Sequence, residues 1–270
     1  MVHIKSLEDI ERIRKASQIV ASTLELLAQH VQTGISTLEL DSIAESEIVK
    51  AGARPAFKGY RGFPKTLCVS INEEIVHGIP SKRRLKDGDI VSLDLGAIWD
   101  GFYGDAARTF AVGTITKEAQ NLIDVTRESL KIAIEQARQG NRIGDIGFAV
   151  QKFVEAYGYS VVREFVGHGI GRNLHEDPQI PNYGKPGQGP RIKAGMVFAI
   201  EPMVCQGGPE VEILEDNWTA ITRDRSLAAH FEHSIAITEN GPVVLSEISQ
   251  AAAVVFTAEV AENAEEELRK

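Results

Sequence analysis

The stretch IVSLDLGAIWDGFYGDAARTFAVG, residues 90–113, predicts two antiparallel strands joined by a tight turn. In its first half, valine and leucine alternate with Ser92 and Asp94, so one face of the strand is apolar and the other carries a carboxylate. The turn, WDGFYG, is rich in Gly and Asp and leads directly to a second carboxylate, Asp105. A hairpin of this kind brings Asp94 and Asp105 close enough to share a metal ion.

Three further metal-ligand side chains stand in similar contexts. Glu201 is the single charged residue of MVFAIEPMV, Glu232 begins a strand-like run in HFEHSIAIT, and His168 lies between glycines in VGHGIG. A charge in an apolar strand is costly unless it is compensated, and carboxylates gathered in one pocket repel each other. Two divalent cations would remove that repulsion and use every ligand. The set of four carboxylates and one imidazole therefore predicts a dinuclear metallohydrolase.

An internal repeat explains how these ligands could meet. LKDGDIVSLDLG and IKAGMVFAIEPM lie 107 residues apart, which aligns Asp94 with Glu201. Asp105 and Glu232 each begin a strand of similar pattern. Two glycine pairs also repeat, at an offset of 106 residues: Gly34 with Gly140, and Gly52 with Gly158. The repeat predicts two halves that each supply a hairpin with two acidic ligands, related by a pseudo-twofold axis near the site.

Helical periodicity predicts four helices, in two pairs that each precede a strand-rich block. They are expected at residues 7–32, 37–52, 116–138 and 144–157, with an apolar face on the third formed by Ile123, Leu130, Ile134 and Ala137. Ser6 and Ser36 are predicted N-caps, with Asp9 and Glu39 three residues further on. Paired helices followed by strands favour an α+β fold with an antiparallel sheet over a doubly wound parallel sheet.

Composition limits the classes of protein and of partner. The chain has 270 residues, 43% of them apolar, and a net charge of −9, which argues against nucleic acid as a required partner. The basic run SKRRLK (81–86) is expected to be a solvated loop. Two cysteines, Cys68 and Cys205, do not make a disulfide framework, and no signal-peptide or membrane-spanning run is present, so we expect a cytoplasmic protein that does not bind membranes. We expect one catalytic domain over residues 1–250 and an acidic C-terminal tail over 251–270.

The chain resembles the methionine aminopeptidase family, in its short bacterial type I form, across nearly all of residues 3–247. The stretches that carry the resemblance are GYRGFPKTLCVSINEEIVHGIP (59–80), SLDLGAIWDGFYGDAARTF (92–110), GHGIGRNLHEDPQIPNY (167–183), FAIEPM (198–203) and RSLAAHFEHSIAIT (225–238). The resemblance implies the pita-bread fold of the creatinases and aminopeptidases, an α+β domain whose two pseudo-twofold halves form an antiparallel sheet with outer helices. His168 and Glu201 are only 33 residues apart, which argues against the type II form.

The resemblance also implies a role for each ligand. Asp94 would chelate one cation, Asp105 and Glu232 would bridge both, and His168 and Glu201 would complete the second site. A hydroxide activated by the two metals would attack the first peptide bond, and Glu201 would handle the proton. Oxygen and nitrogen ligands suit Co(II), Mn(II), Fe(II) or Zn(II), and the sequence leaves that choice open.

Two further histidines match the family. His77, in VHGIP, would contact the substrate backbone nitrogen, and His175, in NLHEDP, would donate a hydrogen bond to the scissile carbonyl oxygen. The remaining histidines, His3, His30, His230 and His233, are expected to be structural.

A methionine side chain would, by the same resemblance, lie in an apolar pocket. Its lining would be Tyr60, Phe63, Cys68, His77 and Trp218. Phe57, Phe63 and Leu174 depart from the commonest family pattern, which keeps the pocket apolar but leaves its shape open. The implied substrates are nascent polypeptides and peptides with N-terminal methionine before a small residue. We expect a monomer that associates with the ribosome.

Two other functions remain as alternatives. A proline-specific aminopeptidase or prolidase would share the two-metal site, but such enzymes carry a long N-terminal domain that this sequence does not show. A relative that has lost its ligands and serves as a binding module would not retain all five metal-ligand side chains. We therefore expect an active aminopeptidase.

Overall fold

The computed structural model describes residues 2–248, and it contains the four predicted helices. The helices are α1 (Leu7–His30), α2 (Thr37–Lys50), α3 (Lys117–Gln136) and α4 (Ile143–Ala156), with a short 3₁₀ turn at Tyr60–Gly62. Each end lies within two residues of its predicted position. In the part of the chain just given, no helix is both long enough and apolar enough to cross a membrane.

The caps of the first two helices form as predicted, but not equally. At α2, the hydroxyl of Ser36 accepts a hydrogen bond from the Glu39 backbone N–H, and the Glu39 carboxylate accepts one from the Ser36 backbone N–H. At α1, the hydroxyl of Ser6 accepts a bond from the Asp9 backbone N–H, while the shorter Asp9 side chain faces Arg172 at 3.5 Å. The complete capping box therefore forms where the longer Glu occupies the third helical position.

Over residues 2–248, fifteen strands make up the rest of the regular structure. They are β1 (Arg54–Pro55), β2 (Leu67–Ile71), β3 (Glu74–Val76), β4 (Ile90–Trp99), β5 (Phe102–Ala111), β6 (Ser160–Val161), β7 (Gly167–Gly169), β8 (Glu176–Ile180), β9 (Val197–Ile200), β10 (Met203–Cys205), β11 (Val211–Ile213), β12 (Ala220–Thr222), β13 (Ala228–His230), β14 (Glu232–Thr238) and β15 (Gly241–Val244). Within residues 2–248, every strand pair is antiparallel, which confirms the α+β class.

The largest sheet is arranged around its central pair of strands, β5 and β14. Its strand order is β1-β4-β5-β14-β9-β7-β8, with β2 added beside β4 and β15 beside β14. The hairpin β4–β5 thus has its counterpart in the pair β9–β14 on the other side of the centre. These are the segments that the sequence repeat aligns, so the predicted pseudo-twofold arrangement is confirmed. The prediction of a hairpin in the second half was wrong, because β10 to β13 lie between β9 and β14 along the chain.

Helices cover one face of this sheet and leave the other for the site. In the first half, the apolar face of β4 (Val91, Leu93 and Leu95) is buried together with Leu24 and Leu27 of α1. Helix α1 crosses the sheet so closely that a Cβ on Gly104 would lie 2.4 Å from the Ser17 nitrogen. In the second half, α3 packs on β9 and β14, and α4 packs on α3, β6 and β8. The predicted apolar face of α3 is confirmed, with three residues buried and one partly buried: Ile123, Leu130 and Ala137, and Ile134.

The structure does not test the predicted C-terminal end of the catalytic domain. The predicted acidic tail, 251–270, lies outside the described residues, and the boundary near residue 250 stays a prediction.

Candidate active site

Three carboxylates project from neighbouring strands on one face of the large sheet. Asp94 of β4 and Glu232 of β14 are both paired with Ala107 of β5, one on each side. Directly paired residues point to the same face of a sheet, and so do residues two apart along a strand. Asp105, two residues before Ala107, therefore shares that face with Asp94 and Glu232. The predicted hairpin brings its two carboxylates together, and β14 adds the third.

The remaining two ligand candidates come from the other half of the sheet. Glu201 follows the last residue of β9, and His168 of β7 pairs with Ala199 of β9. The Nε2 atom of His168 lies 3.5 Å from Oε1 of Glu201. The Nδ1 atom of His168 lies 3.0 Å from the carbonyl oxygen of Gly169, and a proton on Nδ1 would leave a lone pair on Nε2. Two lone-pair atoms then face each other, which suits a shared cation.

The glycines beside His168 are required by close packing. A Cβ on Gly167 would lie 2.5 Å from the Ala199 carbonyl oxygen, and one on Gly169 would lie 2.3 Å from the Asp177 carbonyl oxygen. Distances below about 3 Å are not tolerated between a Cβ and backbone atoms. The two glycines therefore let β7 lie close enough to its neighbours to present the imidazole.

The donor atoms of this cluster fit divalent cations. Ligand atoms of Asp105, His168 and Glu232 all lie within 4.8 Å of one another. Among residues 2–248, Oδ1 of Asp94, Oδ1 of Asp105 and Oε1 of Glu232 are buried without a hydrogen-bond partner. Buried polar atoms are nearly always partnered, and all of these are acceptors with negative charge. What they lack is positive charge, and an oxygen-rich set with one imidazole suits a hard or borderline divalent metal.

Electrostatics lead to the same conclusion. Burial, and then the neighbouring carboxylates, raise the pKa values of Asp105, Glu201 and Glu232 well above the ordinary range. Burial alone raises the pKa of Asp94 to about 7. Burial also lowers the pKa of His168 to about 3, so the imidazole is neutral, which is the form that binds a metal. The folded chain thus concentrates acidic groups that cations would stabilise in their ionised form.

A cleft of about 660 Å³ opens onto this cluster, and the Tyr60–His175 pair forms one wall. The Tyr60 hydroxyl oxygen lies 2.8 Å from His175 Nδ1, and the two rings stack with centroids 5.3 Å apart. The His175 ring lies 4.2 Å from the His168 ring, centroid to centroid. Burial, and secondarily the Arg61 charge, lower the pKa of His175 to about 4. His175 therefore stands beside the cluster as a neutral imidazole with one nitrogen engaged.

His77 lies among aromatic rings at another wall of the cleft. Its ring meets Phe165 edge-on at 5.2 Å and Trp218 at 6.2 Å, and Phe63 meets Trp218 at 5.1 Å. The backbone of His77 has φ +63°, a left-handed conformation that is unusual for this residue type. Burial lowers the pKa of His77 to about 4.

The structure brings every predicted site residue into this one cleft. The predicted residues that line it are Tyr60, Phe63, Cys68, His77, Asp94, Asp105, His168, His175, Glu201, Trp218 and Glu232. Phe57 and Leu174, the two other departures from the family pattern, line it as well. Sequence reasoning did not identify Arg61, Glu164 and Phe165, which also line it. Arg61 lies in the quoted GYRGFP stretch, but an exposed arginine in a glycine-rich turn carries no local sign of its position.

The histidines outside the cleft divide into two groups. His30 Nδ1 lies 2.9 Å from the Leu26 carbonyl oxygen, and His233 Nδ1 lies 2.8 Å from the Ser246 hydroxyl, which fits the structural roles expected for both. His230 is different, because its Nε2 lies 4.0 Å from Oε2 of Glu201. Its sequence position could have indicated a place near the site. His230 stands two residues before Glu232, so in an extended segment both side chains point to the same side.

Comparison with known proteins identifies the family. The model of "Metallopeptidase family M24" matches residues 11–239. The chain belongs to this family. It is 53% identical to the methionine aminopeptidase of Clostridium perfringens over 246 residues, which cover 91% of this chain and 99% of that protein. It is also 53% identical to methionine aminopeptidase 1 of Bacillus subtilis over 248 residues, covering 92% of this chain and 100% of that protein.

Solved structures of family M24 members confirm the fold. The methionine aminopeptidase of Thermotoga maritima superimposes with a TM-score of 0.91 at 46% identity, covering 92% of this chain and all of that one. A prolidase from Pyrococcus furiosus superimposes less well, with a TM-score of 0.73 at 26% identity, over 92% of this chain and 66% of that one. The predicted pita-bread fold and the resemblance to the methionine aminopeptidases are confirmed. The chain is a divalent-metal-dependent peptidase, and the identity of its metal stays open.

Proposed function

We propose that the five clustered ligands and the cleft around them perform N-terminal methionine excision, with the roles set out below. The chain removes N-terminal methionine from peptides and proteins whose second residue is small. The observation that supports the proposed site most strongly is the set of buried, unpartnered carboxylate oxygens of Asp94, Asp105 and Glu232 among the described residues. Such a set is costly to bury without a cation, and all three residues line a cleft of about 660 Å³.

The ligands proposed for two divalent cations are Asp94, Asp105, His168, Glu201 and Glu232. Asp105 and Glu232 are the two carboxylates of the tightest group, which favours them as the ligands shared by both cations. Asp94 would then bind on the β4 side, and His168 with Glu201 on the β9 side. When bound, the cations polarise the scissile carbonyl and lower the pKa of the attacking water.

Glu201 is proposed to move the proton. Its Oε1 lies beside His168, while the carboxylate as a whole lies at the edge of the cluster and lines the cleft. Burial raises its pKa, which suits a group that must take up a proton during the reaction. Glu201 would accept the proton of the attacking water and deliver it to the leaving amine.

His175 is proposed to hold the carbonyl oxygen of the scissile bond. If the Tyr60 hydroxyl donates to Nδ1 over the observed 2.8 Å, the proton of the neutral ring must sit on Nε2. That N–H can donate to the oxygen as negative charge develops there, an effect worth about 2.7–4 kcal/mol for a single donor of this type. His77 is proposed to contact the substrate backbone nitrogen from the opposite wall.

The methionine side chain is proposed to lie among the aromatic rings of the cleft. Phe63 and Trp218 meet edge to face, and Tyr60 and the Cys68 thiol complete a lining that is apolar and rich in rings and sulfur. A thioether makes favourable contacts with ring edges, and its unbranched chain fits a narrow space. Phe57 and Leu174 add apolar surface to the same pocket.

The activity can be tested with matched peptides. The protein is stripped with a chelator, then supplied with Mn(II), Co(II), Fe(II) or Zn(II) under anaerobic conditions, and cleavage of Met-Ala-Ser, Met-Arg-Ser and Ala-Pro-Ser is followed. We expect no cleavage without metal, and fast cleavage of Met-Ala-Ser alone after metal is restored. Faster release from Ala-Pro-Ser would favour a proline-specific enzyme, and metal binding without cleavage would indicate a binding module.

We further propose that the enzyme works in the cytoplasm as a monomer that meets nascent chains at the ribosome. Support for a reducing compartment comes from its two cysteines, which are both free and buried. Mass in solution by light scattering tests the monomer, and co-sedimentation with translating ribosomes tests the association.

A further inference from the structure

His230 is a buried imidazole in contact with the active site that the catalytic roles above leave unused. It is 1% exposed at the end of β13. Among residues 2–248, neither of its ring nitrogens has a hydrogen-bond partner. Burying an imidazole with both nitrogens unpaired destabilises a protein, so a packing role alone does not account for a polar ring at this position. An apolar side chain of similar size would fill the same volume without that cost.

The ring of His230 faces the carboxylate of Glu201. His230 Nε2 lies 4.0 Å from Oε2 of Glu201, while the other carboxylate oxygen faces His168. With its Nδ1 proton directed at the Gly169 carbonyl, His168 has no N–H to give to Glu201. His230 does have one, since an imidazole carries a proton on at least one ring nitrogen and neither nitrogen of His230 is engaged elsewhere among the described residues. The 4.0 Å separation is closed by a small rotation of the carboxylate or by one bridging water.

The backbone around His230 is fixed, so its ring is presented from a rigid support. The His230 N–H donates to the Thr109 hydroxyl at 2.9 Å, and that hydroxyl donates to the His230 carbonyl oxygen at 2.9 Å. The Ser92 hydroxyl lies 2.8 Å from Thr109, which ties the arrangement to β4. His230 also pairs with Met203 of β10. A group held this firmly can orient a neighbour.

We propose that His230 is a positioning residue: it donates its Nε2 proton to Oε2 of Glu201 and holds that carboxylate in the orientation needed to bind a cation and move the proton. His230 is not itself a ligand in this proposal. Partners of this kind change metal affinity or activity by about 10- to 100-fold when they are removed. The inference depends on the role proposed for Glu201, and the test separates the two.

The test compares variants that keep or remove the donor. His230→Gln retains an N–H, His230→Leu and His230→Phe do not, and His233→Leu is a matched control that removes a nearby histidine bonded to Ser246. We expect His230→Leu to lower kcat for Met-Ala-Ser about 10- to 100-fold with little change in KM, and His230→Gln to recover most of it. His233→Leu should lower the melting temperature but leave kcat nearly unchanged. If the Leu variant does not fold, the Phe variant provides the donor-free comparison.

Two measurements distinguish positioning from packing and from ligation. Calorimetric titration with Mn(II) should show two bound cations in every His230 variant, with one of them weakened about tenfold in the Leu variant. In a Glu201→Gln background, adding His230→Leu should cause no further loss of residual kcat, because both changes act through one carboxylate.

Four outcomes would overturn the proposal. The first is that the effects of Glu201→Gln and His230→Leu on kcat add independently in the double variant, and the second is that His230→Leu loses one bound cation. The third is that the loss of kcat follows the loss of melting temperature in all variants, including His233→Leu. The fourth is that His230→Leu retains full activity. If Glu201→Gln alone is fully active, the role of Glu201 is wrong, and this result is distinguishable from a failure confined to His230.

Discussion

Asp94 and Glu232 flank the same residue, Ala107, from opposite sides of β5, so two carboxylates that are distant in sequence stand on one row of the sheet. Asp105 lies diagonally between them. This arrangement crosses the junction between the two halves of the molecule, which means that neither half alone contains a complete site. Both halves contribute carboxylates, so neither can neutralise the charge of the other. The cations are therefore expected to stabilise the packing of the two halves in addition to their role in catalysis.

The first prediction concerns Asp105, the carboxylate at the centre of this arrangement. Asp105→Asn keeps the size of the side chain but removes a charge that both cations would share. We expect kcat for Met-Ala-Ser to fall on the order of 1,000-fold or more. Asp100→Asn, in the exposed turn of the same hairpin, serves as the control and should retain activity. Near-native turnover of Asp105→Asn at saturating metal would rule out the dinuclear site.

The second prediction separates the two neighbouring histidines, His168 and His175. His168→Ala removes a proposed ligand, so it should lose or strongly weaken one cation in a calorimetric titration. His175→Ala removes only the donor proposed for the developing oxyanion, so it should keep both cations and lose about 100- to 1,000-fold in kcat. Equal loss of bound metal in both variants would show that the role of His175 is misassigned.

The third prediction tests the hydrogen bond between Tyr60 and His175. Tyr60→Phe retains the ring that stacks on His175 but removes the hydroxyl that fixes its tautomer. We expect kcat to fall about five- to tenfold, the value of one hydrogen bond, with KM nearly constant. Tyr157→Phe, at an exposed tyrosine, is the matched control. A change in KM alone would place the hydroxyl in substrate binding instead.

The fourth prediction concerns stability without cations. In the folded state burial raises the pKa values of Asp105, Glu201 and Glu232 well above normal and that of Asp94 to about 7, whereas unfolded carboxyls ionise near about pH 4. At neutral pH the folded state thus binds more protons than the unfolded state, so the free energy of unfolding falls as pH rises. The buried histidines, with lowered pKa values, affect stability only below about pH 6.5.

Urea unfolding at about pH 7 and about pH 8 measures this effect. We expect the free energy of unfolding of the chelated protein to be lower at the higher pH, because carboxyls that are protonated in the folded state release their protons on unfolding. Saturating Mn(II) should abolish most of the loss, because the bound cations keep the carboxylates ionised at both values. Stability of the chelated protein that rises over the interval would contradict the proposed origin of these pKa values.

The sequence predicts local features of the site better than its assembly. The hairpin around Asp94 could be predicted because alternation and turn residues act over a few positions. The pairing of Glu232 with Ala107 depends on register between strands from different halves, which no local pattern specifies. The Tyr60–His175 hydrogen bond joins residues 115 positions apart. The resemblance predicts each of these residues as part of the site, but not the bond between them. The sequence predicts a structural role for His230, because its contact with Glu201 arises from tertiary packing and has no local pattern that predicts it.

The last prediction concerns the first residue of the substrate. The rings of Phe63, Trp218 and His77 meet edge to face, and we propose that they hold an unbranched side chain. In a series Xaa-Ala-Ser, norleucine keeps the length of methionine and loses only the sulfur, so its rate should lie within about tenfold of methionine. Ile and Val, branched at Cβ, should be slower than methionine by about 100-fold. Formyl-methionine peptides should not be cleaved, because formylation removes the free amine that we expect to bind a metal or a nearby acidic residue. Phe63→Ala should admit branched residues and narrow these differences, and its cation stoichiometry serves as the control for an intact centre. If valine or isoleucine is released faster than norleucine by the parent enzyme, the proposed pocket does not hold the first side chain.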